Sequence, residues 1–151
     1  MRYKTVEDVI QEGKEFHKKL ARQYGEYEQL AGDSRVVLLL DQLKRREDAM
    51  THTLEEFLTD VSPGALRTWV QFAPEGKEPE FLQRLRQIDL HDADGIAKLA
   101  LDIDMYLADQ YRDLLDDADT PSAKDAFQRL LELEELDEHH LSMNLYNLRD
   151  Y

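Results

Sequence analysis

At 151 residues the chain suits a single domain, residues 1–151, long enough to bury a core without cross-links. It contains no cysteine, which excludes disulfides, thiolate metal sites, iron–sulfur clusters and cysteine nucleophiles. Acidic residues outnumber basic ones 33 to 19, and the resulting formal charge of −14 repels phosphate backbones and anionic lipid, so neither nucleic acid nor a membrane surface is an expected partner.

The opening Met1-Arg2-Tyr3-Lys4 turns polar at once and lacks the apolar run of a signal peptide. The longest strongly apolar stretch, 36–40, is too short to span a bilayer, so the cytoplasm is the expected location. A first helix is predicted near 5–31, ended by the turn Gly32-Asp33-Ser34, with Ser34 as N-cap of a second helix near 34–60. A long crossover then covers 61–94, punctuated by Ser62-Pro63-Gly64, Pro74-Glu75-Gly76 and Pro79. It carries an apolar stretch at 65–72 and a short amphipathic helix at 80–88. Trp69 and Phe72 are expected to cover one side of the molecule; if exposed, they point to a homodimer interface. The third helix is predicted near 95–118. Thr120 caps a fourth near 121–149, with Pro121 at its first position.

Each long helix has a core stripe at three–four spacing. The first gives Ile10, Gly13, His17, Leu20, Tyr24, Tyr27 and Ala31. The second gives Val36, Leu39, Leu43, Glu47, Met50, Leu54, Phe57 and Val61. The third gives Ala97, Ala100, Asp104, Leu107, Tyr111, Leu114 and Ala118. The fourth gives Ala123, Phe127, Leu130, Glu134, Asp137, Leu141, Leu145 and Leu148. Short–long–short connectivity makes this an all-α chain of two antiparallel hairpins joined by a crossover, the wiring of a ferritin-like four-helix bundle.

Every stripe is interrupted near its middle by a titratable group: His17, Glu47, Asp104, Glu134 and Asp137. Unpaired buried carboxylates are costly, so a set like this either binds a cation or shares protons and hydrogen bonds internally. Lysines and arginines fall mostly off the stripes, which argues against simple ion pairing. Imidazole and carboxylate are ligand types that iron, manganese and zinc accept. Met50 reads as packing, and His52 as lying off the stripe. His139 and His140, as neighbours on a helix, point about 100° apart, although His140 lies three residues from Asp137. Glu132, Glu135, Glu138, Asp113, Asp116 and Asp117 read as solvated outer faces.

The two halves repeat at an offset of 87, matching Leu20-Ala21-Arg22-Gln23-Tyr24 to Leu107-Ala108-Asp109-Gln110-Tyr111. The same offset pairs His17 with Asp104, Glu47 with Glu134, Met50 with Asp137 and His52 with His139. On these residues the chain resembles the rubrerythrin branch of the ferritin-like superfamily. Each half of that pattern has a glutamate, a tyrosine seven residues on, and Glu-x-x-His in the next helix. Here the first half reads His17, Tyr24, Glu47 and Met50, and the second Asp104, Tyr111, Glu134 and Asp137. Of the metal ligands, only the glutamates that the resemblance makes bridges are unchanged, and the cysteines of the family's electron-transfer domain do not occur in these 151 residues.

The resemblance implies a non-standard carboxylate-rich site holding iron, manganese or zinc. Glu47 and Glu134 would bridge or chelate, while Asp104, Asp137 and His17 complete the shell. Any catalysis would be metal-dependent redox chemistry on oxygen or peroxide, with an external electron donor. The alternative expectation is a metal-free bundle whose degenerate polar core serves a binding or structural protein.

Overall fold

The computed structural model describes residues 2–72 and 80–149, and these form a mostly helical molecule with a small two-stranded sheet. In chain order the elements are β1 (Arg2–Thr5), α1 (Val6–Leu30), α2 (Ser34–Asp60), α3 (Pro63–Leu66), β2 (Trp69–Phe72), α4 (Glu80–Arg86), α5 (Ala93–Asp117) and α6 (Pro121–Arg149).

Local chemistry sets the helix starts. Thr5 and Asp8 exchange side-chain-to-backbone hydrogen bonds at the head of α1, satisfying two otherwise orphaned N–H groups. The cap of α2 is Asp33 and not Ser34: its Oδ1 accepts from the amides of Arg35 and Val36. A carboxylate also complements the positive end of the helix dipole, which serine cannot do. Thr120 caps α6 as its sequence implies, its hydroxyl accepting from the Ala123 amide.

The crossover contains more than a helix. β2 pairs antiparallel with β1, placing Arg2 opposite Phe72 and Thr5 opposite Trp69. Strand alternation turns Val70 inward and leaves Trp69 66% exposed, so Trp69 does not cover the helices as expected. The break at Pro74-Glu75-Gly76 and Pro79 lies outside the described residues, as does the side chain of Leu148.

The buried apolar residues fall into two clusters. One joins Val6 and Ile10 from the start of α1, Leu54 and Phe57 from the end of α2, Tyr111 from the later half of α5 and Phe127 from early α6. The other joins Leu20 and Tyr24 from later α1, Val36 and Leu40 from early α2, Ile96 and Ile103 from early α5 and Leu141 from later α6. The α1–α2 and α5–α6 pairs are therefore antiparallel. The crossover carries the chain from one cluster's end of the molecule to the other's, so α2 and α5 run parallel. Between the clusters lies a polar layer of His17, Glu47, Asp104 and Glu134, each almost completely buried.

Candidate functional site

One residue from near the middle of each long helix enters that layer, because the helical repeat that puts leucines on the core stripe puts these residues there too. All five expected site residues converge. His17, Glu47, Asp104 and Glu134 are fully enclosed, and Asp137 is half-buried at the edge. Fully burying a leucine in such a position would stabilise the fold by roughly 1.5–3 kcal/mol, so a polar layer has to recover its desolvation through pairing.

It pairs through two cations. His17 lies between the repeat-related glutamates: its Nδ1 is 2.5 Å from Glu47 Oε2 and its Nε2 is 2.6 Å from Glu134 Oε1. A neutral imidazole has one N–H and can satisfy only one of two carboxylates, whereas an imidazolium donates to both. Burial alone favours the neutral ring. The Glu134 and Glu47 carboxylates outweigh it and hold the His17 pKa well above its ordinary value.

The second cation is Arg46, which the stripe pattern did not single out. Its Nη2 donates to Asp104 Oδ2 at 3.2 Å and to the Asp137 main-chain oxygen at 3.0 Å, and lies 2.9 Å from Asp137 Oδ2. The expectation that basic residues stay off the core is thereby corrected. Arg46 sits three residues after Leu43 and four before Met50, a helical spacing that carried the signal. Its Nε and Nη1 are buried without hydrogen-bond partners among the described residues.

Even so, acids outnumber cations four to two in this layer. Burial, with a further push from Glu47 against the pull of Arg46, raises the Asp104 carboxyl to about 8. Asp137 is also raised by burial, with Arg46 opposing. At neutral pH an Asp104 carboxyl raised to about 8 is mostly protonated, so it can donate a hydrogen bond as well as accept one.

Asp104, Glu134 and Asp137 each offer a carboxylate oxygen within 4.8 Å of the others. Glu134 Oε2 is buried with no hydrogen-bond partner among the described residues. Between Glu47 and Glu134, in contrast, both imidazole nitrogens are already committed, so that position offers a metal no free ring nitrogen. The repeat-related Tyr24 and Tyr111 flank the layer, both buried and with hydroxyls that have no hydrogen-bond partner among the described residues. The Tyr111 hydroxyl presses on Gly13, where a Cβ would overlap it.

The other singled-out residues lie away from this centre. Met50 packs in the first apolar cluster. His52 is exposed and pairs with Glu56 at 3.0 Å. His139 and His140 are exposed, and His140 lines a shallow surface groove beside Asp137 without joining the buried cluster. Asp113, Asp116, Asp117, Glu132 and Glu135 are exposed and Glu138 is half-buried. Among the described residues no helix is long and apolar enough to cross a membrane. No family model, curated protein or solved structure matches the chain.

Proposed function

We propose that the chain is a ferritin-like bundle of the rubrerythrin-like branch in which two side-chain cations, His17 and Arg46, stand in for metal ions, and that it works as a non-enzymatic binding protein. The parallel course of α2 and α5 supports the ferritin-like wiring, since an up-down-up-down bundle joined by tight turns would make them antiparallel. The observation that carries the reading is His17 bridging Glu47 and Glu134, the pair that the family resemblance makes the metal bridges. Arg46 does the same between Asp104 and Asp137 in the other half. A dinuclear iron centre does not fit this donor set: its first half offers a committed imidazole and a thioether, and its second admits a guanidinium. Trp69, exposed on β2, is where a second copy would associate in this reading.

A second reading keeps one iron, manganese or zinc ion at Asp104, Glu134 and Asp137, and with it redox chemistry fed by an external donor. The free Glu134 Oε2 favours it. Metal content by mass spectrometry on protein purified without chelator, together with ¹⁵N NMR of the His17 ring, separates the two. Two protonated ring nitrogens and metal far below stoichiometry are expected. Near-stoichiometric metal that disappears in Asp104→Ala/Glu134→Ala would overturn the proposal in favour of the single-ion site.

A further inference from the structure

Among the described residues, a groove runs along the face between α1 and α5. Gly13 is the point where the two helices meet, and its missing side chain admits the Tyr111 hydroxyl. Outside that contact the groove has a volume of 970 Å³ and is lined from both helices, β2 and α4.

The groove is polarised along its length. One end is apolar and aromatic: Phe16 meets Phe81 edge-on at 6.0 Å between ring centroids, and Phe81 meets Tyr106 at 4.9 Å, with Leu82 beside them. The opposite end lies where α1 begins and α5 finishes. There Glu12, Asp113, Asp116 and Asp117 line the groove against one lysine, Lys4. The three aspartates make no ion pair among the described residues, and they sit at the negative end of the α5 dipole. Lys4 illustrates how an ammonium is held at this end: its Nζ is 2.7 Å from Glu12 Oε2 and 3.9 Å from the Phe72 ring centroid. Tyr111, 4% exposed, forms part of the floor, its hydroxyl turned to Gly13 and without a hydrogen-bond partner among the described residues. From Tyr106 to Asp117 the helical rise gives roughly 16 Å, the reach of a medium-length alkyl chain with a polar head.

We infer that this groove binds an amphiphilic cation, with its apolar body against Phe16, Phe81 and Tyr106 and its ammonium head among Asp113, Asp116 and Asp117. A long-chain or arylalkyl amine has the required chemistry. The inference rests on the chain being a binding protein. It does not rest on the central layer being metal-free, since none of these ligand contacts is made by His17, Arg46 or the layer's acids.

The test is calorimetric titration of the full chain with decylammonium below its micellar concentration, beside decanoate and decanol, with metal content measured on the same sample. One saturable decylammonium site is expected, with decanoate weaker by about tenfold or more. Asp113→Asn/Asp116→Asn/Asp117→Asn should lower decylammonium affinity by about tenfold and leave decanol unchanged. Gln110→Trp, a bulky side chain at a half-buried groove position, should abolish binding of both while circular dichroism stays native. No saturable binding, equal affinity for decylammonium and decanoate, or indifference to Gln110→Trp would overturn the inference. Metal in the sample with binding intact would sink only the metal-free reading of the centre.

Discussion

Arg46 and Glu47 are consecutive on α2, yet they serve opposite halves of the polar layer. Glu47 receives a hydrogen bond from His17 of α1, and Arg46 reaches Asp104 of α5 and Asp137 of α6. Neighbours on a helix diverge by about 100°, so one turn of α2 supplies an anion to one hairpin and a cation to the other. The layer thereby ties all four long helices together through hydrogen bonds and ion pairs in a buried setting, where losing one partner is far more serious than at the surface.

Replacing Arg46 with leucine removes the hydrogen bonds that Asp104 Oδ2 and the Asp137 main-chain oxygen accept, and takes the guanidinium away from the Asp137 carboxylate. A loss of about 3–5 kcal/mol in unfolding free energy is expected, measured by urea denaturation at neutral pH. In an Asp104→Leu/Asp137→Leu background the same replacement should be close to neutral or stabilising, because no uncompensated charge is left. Equal losses in both backgrounds would show that Arg46 acts through packing alone.

The pH dependence of stability has a definite sign. Asp104 has a folded pKa near 8 against an ordinary 3.8, so the folded state binds more protons than the unfolded state across that window. Stability therefore falls as pH rises from 3.8 to about 8. His17 adds to the fall: its folded pKa is raised above 6.5, so its contribution is complete below that value and is lost as pH rises through the folded pKa. Asp104→Asn should flatten the slope over the Asp104 window while leaving the His17 part. Denaturation curves at a series of pH values check this, and an unchanged slope in the variant would contradict it.

Gly13 and Tyr111 make a coupled pair. Gly13→Ala gains roughly 0.5–1 kcal/mol of helix propensity, but its Cβ lands on the Tyr111 hydroxyl. Overpacking of this kind costs about 1–3 kcal/mol, so the single variant should be less stable than the parent. With Tyr111→Phe the obstructing oxygen is gone, and Gly13→Ala should become neutral or stabilising. A double-mutant cycle by thermal melting reads the change of sign.

Much of this was legible in the sequence because helices write their geometry locally. The three–four spacing of Ile10, His17, Leu20 and Tyr24 fixes a buried face, and His17 lies on it whatever it touches. The offset of 87 likewise placed Glu47 and Glu134 in equivalent positions, and in the fold they take the two nitrogens of one ring. What His17 does there was not legible, since it depends on distances between helices that no spacing encodes. Arg46 lies beside the stripe of Leu43, Glu47 and Met50, and a long side chain in that position still reaches the core, which the periodicity of apolar residues does not encode. The pairing of Arg2–Thr5 with Trp69–Phe72 is illegible for a different reason: each strand has four residues, too few for alternation to stand out, and the partners lie far apart in sequence.

The substitution of side-chain cations for metal makes a final prediction about the reverse change. His17→Glu removes the imidazolium between Glu47 and Glu134 and puts a third carboxylate in its place. Without metal this variant should lose about 3–5 kcal/mol of stability, because buried anions then meet with no cation between them. Oxygen ligands gathered in this way suit manganese, iron or zinc, so added metal at about a hundredfold excess over its Kd should return ~2.7 kcal/mol through binding to the folded state alone. The parent should show no such dependence: its melting temperature is expected to be the same with chelator, without it, and with added manganese or zinc. A parent that melts lower in chelator would mean that a metal already contributes to the native layer, most directly at Asp104, Glu134 and Asp137. A variant indifferent to every ion would mean that the backbone around residue 17 holds the carboxylates too far apart for a shared cation, and that the layer is committed to its organic cations by geometry as well as by charge.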